Sequence, residues 1–189
     1  MPARVNRVYM AEDHVNSYYA ATVNDTTRYP RAEGEMVADV CVVGGGFSGV
    51  SSALTLAERG YNVVLVEANR IGWGASGRNG GQIIGGISGE HNIERQLGAA
   101  GRKLLRDIRY RGNEIVESRI AKYGIACDFK HGWMEAAARE KHLPQMREYV
   151  EGRHAEGDGE GLEIVEPGDM ADVLGTKIYY GGYIDRRSG

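Results

Sequence analysis

Asp39-Val40-Cys41-Val42-Val43-Gly44-Gly45-Gly46-Phe47-Ser48-Gly49 is a short, apolar, β-rich run that ends in glycines at the G-x-G-x-x-G spacing. Such a run reads as a parallel strand buried on both faces. Each glycine then has its own duty. Gly44 lets the chain turn off the strand, Gly46 leaves the backbone bare for a pyrophosphate, and Gly49 keeps the next helix close to the sheet. Val50, Ala53, Leu54 and Ala57 continue at helical spacing, and Gly60 stands where a helix C-terminal glycine belongs. A second strand, Asn62-Val63-Val64-Leu65-Val66, ends at Glu67, roughly 20 residues past the turn, where a carboxylate meets ribose hydroxyls and repels a 2′-phosphate. The order strand, glycine turn, helix, strand, acid points to a dinucleotide. The alternative is a βαβ unit whose glycines serve packing alone.

Outward from this unit, residues 1–37 read as a polar arm containing Ser17-Tyr18-Tyr19-Ala20-Ala21, with a turn at Tyr29-Pro30 before the fold begins. Residues 38–90 hold the βαβ unit and a second glycine-rich segment, from Gly72-Trp73-Gly74-Ala75-Ser76-Gly77-Arg78-Asn79-Gly80-Gly81-Gln82 to Gly85, Gly86 and Gly89. A flexible linker would rarely carry Trp73, Ile83, Ile84 and Ile87, so the segment reads as a shaped loop, with Ser76, Arg78 and Asn79 as donors for phosphate or ring oxygens. Residues 91–189 begin with a helical pattern to about Tyr123, broken between Gly98 and Gly101. Arg102, Arg106, Arg109 and Arg111 make either a solvated helix face or a phosphate-binding one. Ile125 to Phe129 and Trp133 to Ala138 suggest a hairpin around His131-Gly132. A helix from Leu143 to about His154, a polar loop from Glu156 to Gly161, a strand Leu162 to Val165 and a small helix at Pro167 complete the pattern.

Composition narrows the function classes. The chain has 189 residues, 42% hydrophobic and 26% charged, values typical of globular proteins, whereas its 28 glycines are about twice the average usage. The net charge of −3, with both signs interspersed, leaves no footprint for nucleic acid. No apolar run reaches the roughly 18 residues of a membrane span, and a cytoplasmic location is the expectation. Cys41 and Cys127 read as small buried hydrophobes, and the five histidines show no metal-ligand spacing.

Three stretches, Asp39 to Gly49, Leu65-Val66-Glu67-Ala68, and Arg70-Ile71-Gly72 through Gln82, resemble the D-amino-acid-oxidase-like FAD oxidoreductases. Within that family they are most similar to the gamma-glutamylputrescine oxidase branch, as are Ser17 to Ala21, Ile125 to Phe129 and Tyr180 to Asp185. The fold implied is α/β: a Rossmann-like FAD-binding βαβ unit, part of a doubly wound sheet, with helices and a hairpin from the start of a substrate domain. By the same resemblance Gly44, Gly46, Phe47, Ser48 and Gly49 would meet the FAD pyrophosphate, and Glu67 and Ala68 the adenosine ribose. Arg70, Ala75, Ser76 and Arg78 would line the nucleotide, while Asn79, Gly80, Gly81 and Gln82 would pass near the flavin. The implied chemistry is hydride transfer from an amine-bearing carbon, imine hydrolysis to an aldehyde, and reduction of oxygen to hydrogen peroxide. Catalytic residues are not identified, Gln82 and Trp73 being the candidates near the flavin.

Family members continue past the position of Gly189 for about as many residues again, so an N-terminal part of a longer enzyme is expected, with the C-terminal half as its partner. Two other readings stay open. One is a sarcosine- or glycine-oxidase-like enzyme; the other is a non-catalytic nucleotide-binding module that pairs with a second chain.

Overall fold

The computed structural model describes residues 12–189, so the first eleven residues of the arm lie outside the described residues. The chain divides into two compact units, one ending at Gly80 and the other running over Gly81–Gly189. This division falls ten residues before the 90/91 boundary read from the sequence. The reason is local: Ile83 and Gly189 exchange backbone hydrogen bonds of 2.6 and 3.0 Å, and the Gly86 amide donates to the Arg109 carbonyl, tying the end of the glycine-rich segment into the second unit.

In the first unit a short helix, α1 (Tyr18–Thr22), starts at Ser17, whose hydroxyl accepts the Ala20 amide. No turn forms at Tyr29-Pro30; the chain runs on without regular structure to a bend at Gly34 (φ +69°). Strand β1 (Val40–Val43), helix α2 (Phe47–Glu58) and strand β2 (Val63–Val66) follow. The strands are parallel in the register Val40↔Val63 to Val43↔Val66, which requires the crossover that α2 supplies. The helix ends in a Schellman motif: Gly60, at φ +90°, donates to the Ala57 carbonyl and Tyr61 to that of Leu56. The expectation of a strand buried on both faces fails. Val42 faces α2, whereas Cys41 and Val43 point to the alternate face, where Val43 is 83% exposed. Cys41 is therefore an exposed thiol, and Cys127 is exposed as well.

In the second unit helix α3 (Glu90–Ile108) kinks at Gly98 (φ 58°, ψ −137°), within the break read from the sequence. A second interruption at Arg109 and Tyr110, with no glycine to announce it, separates α3 from α4 (Arg111–Tyr123). Strand β3 (Trp133–Ala136), helix α5 (Leu143–Ala155), strand β4 (Leu162–Val165), helix α6 (Met170–Leu174) and strand β5 (Gly182–Asp185) complete the unit. They form an antiparallel sheet in the order β3-β5-β4, with α5 packed on β4 and β5. Val150, Leu162 and Tyr183 are buried together, with Trp133, Met146 and Ile164 packed around them.

The expected hairpin is absent. Residues 125–129 form no strand, because Asp128 adopts φ +52° and breaks the extended run, and β3 pairs instead with the distant β5. At the centre of the sheet a Cβ on Gly182 would collide with the Glu135 carbonyl oxygen, so the middle strand needs its glycine. Arg109 meets neither reading given to the arginine-rich stretch. It is buried, held by Glu90 at 2.6 Å and by Asp158 at 2.8 Å, and Asp158 also receives Arg153 at 2.5 Å. The segment expected to be a polar loop thus supplies an acid shared by two buried guanidinium groups, with Glu90 as the second acid on Arg109.

Candidate functional site

The site lies where β1 and β2 end, the edge at which open α/β sheets bind ligands. Val43, Gly44, Val66, Glu67 and Ala68 line a groove of about 370 Å³ there. Gly44 turns off the strand at φ +107°, a conformation that strains any residue with a side chain. A Cβ at Gly49 would fall inside the radius of the Gly44 carbonyl oxygen, and Val42 lies 3.5 Å from the same position. This third glycine therefore clears the turn itself as well as the strand behind it. A Cβ at Gly46 would stand 2.9 Å from the Ser76 hydroxyl, so the second glycine also admits the following loop.

Glu67 joins the groove to the turn. One carboxylate oxygen accepts the Gly45 amide at 2.6 Å and the other accepts the Asn69 amide at 3.0 Å. The Gly45 bond, followed by that of Asn69, holds the Glu67 carboxyl below the usual glutamate range despite its partial burial. A carboxylate has about four lone-pair sites, so two such bonds leave acceptors for a ribose diol. Gly45 was not among the residues singled out in the sequence. It is buried, a Cβ there would stand 2.6 Å from Ile71, and its carbonyl accepts the Gly72 amide at 2.9 Å.

Phe47 and Ser48 are exposed in the first turn of α2. The Phe47 amide donates to the Ser76 hydroxyl at 3.0 Å, while helix geometry gives the amides of Ser48 and Gly49 no intrahelical acceptor. These donors and the positive end of the helix dipole suit an anion. Ala75 and Ser76 sit in a single 3-10 turn, Ala75–Gly77. Arg70 is turned to the arm, where its Nε and Nη2 donate to one Asp13 oxygen at 2.9 and 2.7 Å. Arg78 stacks 4.7 Å over the Trp73 ring and donates to the Trp73 carbonyl, and Asn79 donates to the Ser76 carbonyl at 2.9 Å.

Gly44, Gly46, Gly49, Glu67 and Ser76 thus come together in the first unit, which Gly80 closes, whereas Gly81 and Gln82 belong to the second. The bare Gly44 backbone, the open groove and the paired carboxylate fit the ADP portion of a dinucleotide. Asp13 had no signal in the sequence, since 57 residues separate it from Arg70.

Comparison with known proteins agrees with this geometry. The chain is 38% identical over 178 residues to gamma-glutamylputrescine oxidoreductase of Escherichia coli, covering 94% of this chain and 42% of that protein. It is 36% identical to the probable oxidoreductase OrdL of Haemophilus influenzae, over 94% of this chain and 42% of the relative. The chain therefore spans less than half the length of these relatives. Among solved structures, L-amino acid deaminase from Proteus myxofaciens shares the fold with a TM-score of 0.63 at 22% identity, over 85% of this chain and 35% of that one. Glycine oxidase from Bacillus cereus does so with a TM-score of 0.58 at 20% identity, over 81% of this chain and 39% of that one. Residues 39–189 match the DAO family of FAD-dependent oxidoreductases, and the chain belongs to that family.

Proposed function

We propose that this chain forms the nucleotide-binding part of an FAD-dependent oxidase that acts on the C–N bond of a small amine resembling gamma-glutamylputrescine. The products would be an imine, hydrolysed to an aldehyde, and hydrogen peroxide from oxygen. The observation that carries the proposal is the Glu67 carboxylate, which accepts the Gly45 amide beside the open groove at the strand ends. Bound FAD would accept the hydride from the amine-bearing carbon.

The chain's own residues bind and orient. Gly44 and Gly46 let the backbone approach the pyrophosphate, and the amides of Ser48 and Gly49 donate to it. Glu67 fixes the ribose, with Ala68 beside it, and Ser76 holds the second loop against the start of α2. Asn79 to Gln82 extend toward the flavin in this reading. Cys41 and Cys127 are free and exposed, which suits a reducing compartment and supports a cytoplasmic setting. Among the described residues no helix is long and apolar enough to cross a membrane.

Two measurements test the proposal. Titration of the purified chain with FAD, followed by flavin fluorescence, should show binding that ADP competes away. Protein expressed from the intact gene should release peroxide with amines carrying a gamma-glutamyl group in preference to sarcosine or glycine. Failure of ADP to compete would remove the nucleotide assignment, and peroxide release with sarcosine or glycine alone would replace the substrate class.

A further inference from the structure

The family match begins at residue 39, yet the segment before it makes a tight set of polar contacts with the second loop. Asp13 is their centre. Its carboxylate receives Nε and Nη2 of Arg70, at 2.9 and 2.7 Å, and Arg28 at 3.2 Å, while its backbone carbonyl receives the Trp73 indole N–H at 3.1 Å. Beside it the Glu12 amide donates to the Asn69 side chain at 2.9 Å.

The loop so gripped touches the nucleotide turn at two further points. The Gly72 amide donates to the Gly45 carbonyl, and the Ser76 hydroxyl accepts the Phe47 amide. Past these points Arg78 lies over the Trp73 ring and donates to the Trp73 carbonyl, so the indole held by Asp13 is also the platform that closes the loop. Asn69, at the start of the loop, meets Glu67 through its own amide. One loop therefore meets the arm through Asn69, Arg70 and Trp73 and the nucleotide turn through Asn69 to Glu67, Gly72 to Gly45 and Ser76 to Phe47.

We infer that Asp13 is a positioning residue for FAD: the N-terminal arm clamps loop 69–78 and thereby sets how firmly the glycine turn and Ser76 are held for the nucleotide. The inference rests on the FAD reading of the turn, but it also concerns the loop without any ligand. Asp13 is 66% exposed, so Asp13→Ala removes the carboxylate contacts to Arg70 and Arg28, the charged part of the clamp, without opening a core.

The test uses the full chain carrying Trp133→Phe, because the sequence holds 2 tryptophans and Trp73 then reports alone. In that background Asp13→Ala should raise quenching of Trp73 fluorescence by a neutral quencher about twofold and weaken FAD binding about fivefold, the upper range for an exposed ion pair. Arg70→Ala should act alike, and the double variant should be little worse than either single one. Asp13→Glu should recover part of both signals. Unchanged quenching and FAD affinity in Asp13→Ala would overturn the inference, as would full additivity in the double variant. If the parent chain binds no FAD, the nucleotide reading fails, whereas the quenching comparison still decides whether Asp13 clamps the loop.

Discussion

The two units of this chain are ordered by different means. Among the described residues every buried hydrophobic side chain, from Leu105 to Tyr183, belongs to the second unit, whereas the first has one buried residue, Gly45. The second unit resembles an ordinary small domain: a three-stranded sheet under a helix, with Leu105 and Met170 fully enclosed and a buried cluster of charges around Asp158. The first unit derives its shape from the backbone. Positive φ at Gly44 and Gly60, close approach at Gly45 and Gly49, and a few amide bonds to Glu67 and Ser76 define it. Each such bond contributes about 0.5–1.5 kcal/mol, much less than a buried side chain cluster supplies. Local geometry and global stability thus have separate origins, and the candidate site sits where the first is strongest and the second weakest.

The contrast can be broken at its stable end first. Asp158→Ala leaves Arg109 and Arg153 buried without their common partner and should lower the stability of the second unit by about 3–5 kcal/mol, measured by denaturant unfolding. A shift below about 1 kcal/mol, the range of an exposed ion pair, would mean that water reaches this cluster and that the second unit is less enclosed than its core implies.

At the other end, Gly49→Ala drives a Cβ into the Gly44 carbonyl and should cost about 1–3 kcal/mol, read as a loss of FAD affinity of roughly five- to 150-fold. If affinity is kept, the turn adapts and its glycines serve packing alone. The smallest effect concerns Glu67. Its carboxyl is held below the usual value of 4.5, so the stabilisation of the turn is complete above that pH and is lost as pH falls through the lower folded value. FAD affinity should decline in this acid window in the parent chain, and Glu67→Gln should remove that decline at a cost of about 1 kcal/mol at neutral pH. An identical acid profile in both proteins would release Glu67 from the role given to it.

The nucleotide unit was legible in the sequence because its causes are local. Glycine spacing, the apolar runs on either side and the acid at the end of β2 lie within Asp39 to Glu67, and each acts through backbone conformation or a near neighbour. Even there, the enclosure of β1 was misread. A run such as Val40 to Val43 states that it can be buried, but what covers its two faces is a tertiary matter, and here α2 covers one.

In the second unit the helices and β4 followed from periodicity and turn residues, whereas the pairing of β3 did not. Nothing near Trp133 announces that its partner is Asp185, and the left-handed residue that ends the competing run is an aspartate instead of a glycine. Arg109 shows the same limit for charge. Beside Arg102 and Arg106 it reads as part of a surface, until the fold brings Glu90 and Asp158 to it.

The sequence by itself determined that a strand, a glycine turn, a helix and an acid-tipped strand stand in the order that binds a dinucleotide, because φ preferences and 3.6- or two-residue periodicities act between neighbours. Only the tertiary structure decided that Glu67 would hold Gly45, that Ser76 would meet the first turn of α2, and that Asp13 would reach Arg70 and Trp73. Those contacts join residues 22 to 60 positions apart, and no local preference encodes a distance that the folded backbone alone brings to about 3 Å.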